Sequence, residues 1–394
     1  MDRRPARALT GARRPHGAVL WGRVRPAYGG AMTVVRPSFP PQPSATSWPG
    51  VDWPVGEPPP GLAERLADCV GRWQSDPDRY GLHLALVMVH RGRLVAESYG
   101  ATADAGTALV SWSMAKSVVH ALVGVCVRDG LLALDQPAPV VEWAGDERRA
   151  ITIEQLLAMT SGLHFVEDYV DDGVSDVIDM LFGTGIDDVA GFAIGKPLDH
   201  PPGTSWNYSS GTSNILARIV GDVAAALHPD RTREDAMRAF LADALFTPLA
   251  MASADPRFDT AGTFVASSFL YATARDFARF GYLYLRDGTW DGRRILPVGW
   301  ADHARTPAGA RSGAVVPTDE TFGYGHHWWL WNRQGLPAAF GAHGYENQLV
   351  VVDPTRDLVL VRLAKTPAAL QPNVLPDLVA LIGAVPLESV PTIT

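Results

Sequence analysis

Ser113-Met114-Ala115-Lys116 sets a hydroxyl and an amine three residues apart at the head of a helix-forming run. Side chains at that spacing share one helix face. A lysine carried into a buried helix loses solvation, which lowers its pKa toward that of a useful base. A serine at a helix N-terminus sits at the positive end of the dipole, where a developing oxyanion can be held. The chemistry this pattern offers is nucleophilic attack by Ser113 with Lys116 as base. The competing account is an N-cap serine beside a lysine that snorkels to solvent. The chain has three lysines, Lys116, Lys196 and Lys365. Lys196 has no serine three residues before it, so only Lys116 stands in a catalytic context.

Two further segments carry reactive or ligand-approaching groups. Trp206-Asn207-Tyr208-Ser209-Ser210 lies just before a helix. Beside a serine–lysine pair, Tyr208 could act as a second base, its phenolate favoured by the ammonium. Gly341-Ala342-His343-Gly344-Tyr345-Glu346-Asn347-Gln348 leads into a strand, and glycine there lets backbone approach a ligand closely. His326-His327 and His343 raise the question of zinc. No H-E-x-x-H and no cysteine pair accompany them, so these histidines read as packing beside Trp328, Trp329 and Trp331. The expectation is no metal and no cofactor. G-x-S-x-G is absent, which removes an α/β-hydrolase elbow. Cys126, on the buried helix, reads as inert.

The elements that must position these groups follow from periodicity. Leu62, Leu66, Cys69, Val70 and Trp73 repeat at a helical interval. Leu82 to His90 and Leu94 to Tyr99 form a hairpin around Arg91-Gly92-Arg93. Ser113 to Val127 is apolar around most of its circumference, as in a buried helix. Helices follow at Thr152 to Met159, near Val177 to Phe182, and at Ser213 to Leu227, Arg233 to Leu245 and Thr273 to Leu285. Phe322 to Trp331, Gln348 to Val352 and Leu358 to Leu363 read as strands. Residues 37–60 hold nine prolines and form an extended arm or linker, with Trp48 and Trp53 favouring an arm docked on the body. The order predicts an α+β fold: an antiparallel sheet flanked by helices, with an inserted, mostly helical lobe. Residues 1–60 are a basic leader and Pro-rich arm. Residues 61–394 are one catalytic domain, with a sheet lobe at 61–110 and 260–394 and a helical lobe at 111–259.

Composition narrows the class. The 394 residues are 47% hydrophobic and 19% charged, as in a globular enzyme. No stretch reaches the roughly 18 apolar residues of a membrane span. Two cysteines exclude a disulfide scaffold. The net charge of -8 argues against a nucleic-acid partner. Residues 1–31 carry seven arginines and one acid but no apolar signal core. Initiation at Met32 would remove that leader, and disorder is expected there either way. With no secretion signal, a cytoplasmic location is expected.

Taken together, these segments resemble the serine β-lactamase and penicillin-binding-protein superfamily, in its class C-like branch. That branch also holds family VIII carboxylesterases and 6-aminohexanoate-dimer hydrolases. Ile151 to Leu163, Ala272 to Gly281 and Gln348 to Pro354 carry the likeness between the motifs. The resemblance implies a β-lactamase/transpeptidase-like fold and a small-molecule ester or amide substrate. It implies Ser113 as acylated nucleophile, Lys116 and Tyr208 as its activators, and the backbone N–H groups of Ser113 and Tyr345 as oxyanion hole. Trp112, Tyr169, Ser210, His343 and Gly344 would bind substrate, Tyr169 as in the aminohexanoate-dimer hydrolases. Two departures stand out. Ser210 replaces the asparagine of Tyr-x-Asn, and Ala342-His343-Gly344 or His343-Gly344-Tyr345 replaces Lys-Thr-Gly. Both weaken recognition of a β-lactam's amide and carboxylate and point to an esterase or amidase, with a D-amino-acid peptidase or β-lactamase-type activity, or a non-catalytic ligand-binding member of the same fold, as the alternatives. Lys365-Thr366-Pro367 mimics the missing motif but follows the last strand.

Overall fold

Leu82–His90 (β1) is buried along nearly its whole length, because both faces of its sheet are covered. Its alternating side chains feed two cores. Leu84, Val87 and Val89 join the layer that holds the central helices, while Leu86 and Met88 join a second layer on the opposite face. Full burial of each such side chain contributes about 1.5–3 kcal/mol. The computed structural model describes residues 39–43, 46–168, 175–309 and 321–388. The basic leader lies outside them.

The main sheet has seven strands: β1, Arg93–Tyr99 (β2), Gly323–Tyr324 (β3), Trp329–Leu330 (β4), Phe340–Gly344 (β5), Gln348–Asp353 (β6) and Leu358–Lys365 (β7). The spatial order is β2-β1-β7-β6-β5-β4-β3. Every neighbouring pair is antiparallel. Leu62–Ser75 (α1) packs on the outer face, burying Leu62, Leu66, Cys69, Val70 and Trp73, as its periodicity predicts. Trp73 Nε1 donates to Asp377 Oδ2 at 2.8 Å, tying α1 to the C-terminal helix Gln371–Ala384.

The inner face carries Ala115–Arg128 (α2) and Ala274–Leu285 (α3). A Cβ on Gly281 of α3 would lie 2.7 Å from methyl groups of both Val350 and Val359, so glycine lets this helix rest directly on β6 and β7. Helices Ile153–Leu157, Asp176–Phe182, Val189–Ile194, Ser210–Leu227 and Arg233–Leu241 build the inserted lobe. Its start is set by a capping box, Thr152 accepting from Gln155 N while Gln155 accepts from Thr152 N.

The arm is docked. Trp53 is buried and its indole N–H donates to the Arg275 carbonyl at 3.1 Å. Arg279 donates to the Gly50 and Val51 carbonyls. Leu94 of β2 exchanges backbone bonds with Pro54 and Gly56, so the arm covers the sheet edge.

Three departures from the sequence reading have simple causes. The expected strand Phe322 to Trp331 is two short strands, because His327 takes a positive φ of 58° and turns the chain between them. Val189–Ile194 is a helix within a stretch that reads as loop, capped by Asp188 accepting from Gly191 N. Gln371–Ala384 is a helix the sequence reading did not place: Pro372 falls in its first turn, where N–H groups are unpaired anyway, while Pro376 lies inside it.

Candidate active site

Trp112–Met114 form a single 3-10 turn that leads into α2. Trp112 holds φ at 44°, in the left-handed region a non-glycine residue rarely adopts. This turn presents Ser113 half-buried at the helix head, while Lys116 lies within the protein at 1% exposure. The Lys116 ammonium spends its three protons on three acceptors. It donates to Ser113 Oγ at 2.8 Å, Ser210 Oγ at 2.9 Å and the Ser267 carbonyl at 2.9 Å. Burial pulls its pKa down to about 8, opposed by the Glu167 charge. An N-cap serine with a snorkelling lysine does not describe this geometry, because the amine points inward.

Glu167 is the residue the sequence reading did not assign. One carboxylate oxygen accepts from Ser210 N at 2.7 Å and the other from Ser210 Oγ at 2.5 Å. The hydroxyl of Ser210 therefore links the Glu167 carboxylate to the Lys116 ammonium. The only hint was position, two residues before the singled-out Tyr169. Tyr169 itself lies outside the described residues. The Ser267 carbonyl carried no sequence signal at all.

Tyr208 closes the group from above the amine, with Lys116 Nζ 5.0 Å from its ring centroid. Trp206, Tyr324 and Trp329 surround it at centroid distances of 6.5, 5.7 and 5.2 Å. Burial and then Glu167 push its phenol well above the usual range, while hydrogen bonds with Ser113 and Trp329 pull the other way. That direction favours a neutral phenol over the expected phenolate.

The end of β5 packs on the Trp112–Met114 turn. A Cβ on Gly344 would lie 2.3 Å from the Ser111 carbonyl, so glycine is required for that approach to backbone. Tyr345 follows, 40% exposed, its ring edge-on to Trp112 at 5.6 Å. The turn beyond is pinned from beneath by Arg362, fully buried, which donates to Asn347 Oδ1 at 2.7 Å. Trp112 also meets Phe269 at 5.8 Å, and Phe269 meets the exposed Phe182 at 6.1 Å. These rings form an apolar rim beside Ser113. His343 is placed differently. It is buried, accepts from Trp331 Nε1 at 2.9 Å and stacks on Trp329, and its ring is neutral because burial lowers its pKa to about 3. It reaches Tyr208 through Trp329. Lys365 ends β7, two strands from β5. Burial raises the Cys126 thiol to about 12.

Among the described residues, no helix is long and apolar enough to cross a membrane. The Beta-lactamase family model matches residues 78–384. A 6-aminohexanoate-dimer hydrolase of Paenarthrobacter ureafaciens is 28% identical over 301 residues, covering 72% of each chain. Among solved structures, a penicillin-binding-protein homologue from Caulobacter crescentus superposes with a TM-score of 0.58 at 18% identity, over 84% of this chain and 98% of that one. A family VIII carboxylesterase gives 0.59 at 16% identity, over 84% and 98%. At these identities the two structures establish the shared fold.

Proposed function

The chain belongs to the beta-lactamase family, and from that premise we propose a serine hydrolase that cleaves a small ester or amide through an acyl-enzyme on Ser113. The observation that carries the reading is the buried Lys116 amine, 2.8 Å from the Ser113 hydroxyl and lowered toward neutrality by burial. In its free-base form Lys116 accepts the Ser113 proton as Oγ attacks the substrate carbonyl. The tetrahedral oxyanion is held by the backbone N–H groups of Ser113 and Tyr345. Tyr208, a neutral phenol against Ser113, gives its proton to the leaving alkoxide or amine and regains one from Lys116. Water then attacks the acyl carbon with the same groups taking and returning its proton.

The site favours an uncharged substrate over a β-lactam. Ser210 stands where an asparagine would read an amide, and its hydroxyl is already engaged with Glu167 and Lys116. The strand β5 carries Ala342-His343-Gly344 or His343-Gly344-Tyr345 where Lys-Thr-Gly would stand, so it brings no lysine to pair with a carboxylate. The aromatic rim of Trp112, Tyr345, Phe269 and Phe182 suits an apolar arm. The name of the Paenarthrobacter relative adds linear amides to the candidate substrates. The test is hydrolysis of short p-nitrophenyl esters. Ser113→Ala should abolish it, and wild-type rates in that variant would remove the mechanism.

A further inference from the structure

Below the catalytic helix, Glu154, His303 and His326 converge from three elements far apart in sequence. One carboxylate or imidazole atom from each lies within 4.8 Å of the others. His303 Nε2 is 2.8 Å from Glu154 Oε2, and His326 Nε2 is 3.2 Å from Glu154 Oε1. Sequence adjacency pairs His326 with His327. The fold separates them: His327 faces Ser213 and the Leu157 carbonyl, while His326 faces Glu154.

At His326 both ring nitrogens face acceptors. Its Nδ1 lies 3.2 Å from the Thr306 carbonyl, which can only accept. In the neutral tautomer that donates Nδ1–H to Thr306, Nε2 aims a lone pair at a carboxylate oxygen. Two acceptors facing each other need a proton or a metal ion between them. His303 can adopt the matching state. Its Nδ1 is 3.0 Å from His120 Nε2, and His120 Nδ1 is 2.7 Å from the Tyr284 hydroxyl. With its proton on Nδ1, His303 donates to His120 and turns the Nε2 lone pair toward Glu154, and His120 Nδ1–H donates to Tyr284.

We propose that Glu154, His303 and His326 bind one divalent transition-metal ion of the zinc class. Both histidines present the same nitrogen to the centre, and each has its other nitrogen anchored by a neighbour, as metal-ligating imidazoles do. Zinc held at about 2.0–2.2 Å by four ligands spaces its donor atoms roughly 3.4 Å apart, against 2.8 and 3.2 Å from the two imidazoles to the carboxylate oxygens. Two imidazoles and a carboxylate suit zinc and its neighbours over magnesium or calcium. The imidazoles are 6% and 3% exposed and Glu154 is 17% exposed. The ion would tie Ile153–Leu157, Trp300–Ala304 and the turn at His326 together beneath α2, where His120 stands one helical turn beyond Lys116. Its role is structural, and it is independent of the serine chemistry proposed above.

The test uses the full chain, stripped by chelator and titrated with Zn(II), then with Co(II) as a spectroscopic probe. The expected result is one zinc per chain by elemental analysis, d–d absorption with Co(II), and a zinc-dependent rise in thermal midpoint. Glu154→Gln and His326→Asn, checked for fold by circular dichroism, should bind zinc at least about 100-fold more weakly and lose the thermal response. Should either variant fail to fold, the wild-type titration alone decides. Absence of stoichiometric zinc in the wild type, or equal uptake by folded variants, overturns the proposal and leaves a buried imidazolium–carboxylate pair.

Discussion

Glu167 holds Ser210 twice, by its backbone N–H at 2.7 Å and by its hydroxyl at 2.5 Å. That double grip fixes the serine oxygen that faces the Lys116 ammonium at 2.9 Å. A carboxylate thus acts on a buried amine through one hydroxyl, and its charge opposes the desolvation that lowers the amine's pKa.

The first consequence is a pH profile. Lys116 is a base only when deprotonated, so kcat/KM for a neutral ester should rise as pH increases through about 8. Glu167 favours the charged amine, so removing its charge lowers the Lys116 pKa further. Glu167→Gln should therefore move the rising limb to lower pH. A limb that stays in place or moves upward would contradict the coupling.

Tyr208 sits in a box of aromatic rings, and phenylalanine fills the same space. Tyr208→Phe should keep the thermal midpoint and lose about 10²–10⁴ in kcat, the usual range for a positioned proton donor. Stopped assays with esters of graded leaving-group pKa check this, because good leaving groups should be affected least.

Gly344 touches the Ser111 carbonyl so closely that a methyl group must move β5. Gly344→Ala should shift the Tyr345 N–H away from Ser113 and cut kcat by roughly 10²-fold, the cost of about 1 Å of misplacement. Retained activity with an unchanged crystal position of Tyr345 would remove that N–H from the mechanism.

A chromogenic cephalosporin should turn over slowly or not at all, because β5 carries no lysine where Lys-Thr-Gly would stand. Turnover matching that of the short esters would overturn the preference for uncharged substrates.

How much of this was legible in the sequence depended on contact range. Ser113 and Lys116 were legible because three residues on a helix fix their proximity. The hairpin of Leu82 to His90 and Leu94 to Tyr99 was legible in its two strand-like runs. Glu167 was not, since its partner lies 43 residues on and only tertiary packing joins them. The Glu154–His303 contact spans 149 residues, and neither residue has a local signature. Adjacency misled at His326-His327, where the chain turns and sends the two rings apart. At Tyr208 the sequence showed the nearby ammonium but not the enclosure or Glu167, both of which favour the neutral phenol.

The central claim is that Ser113 is the acylated nucleophile. Intact-mass analysis after treatment with a fluorophosphonate, followed by peptide mapping, tests it most directly. The account predicts one adduct per chain, mapped to Ser113 and absent from Ser113→Ala. An adduct on another residue, or none while ester hydrolysis proceeds, would contradict it.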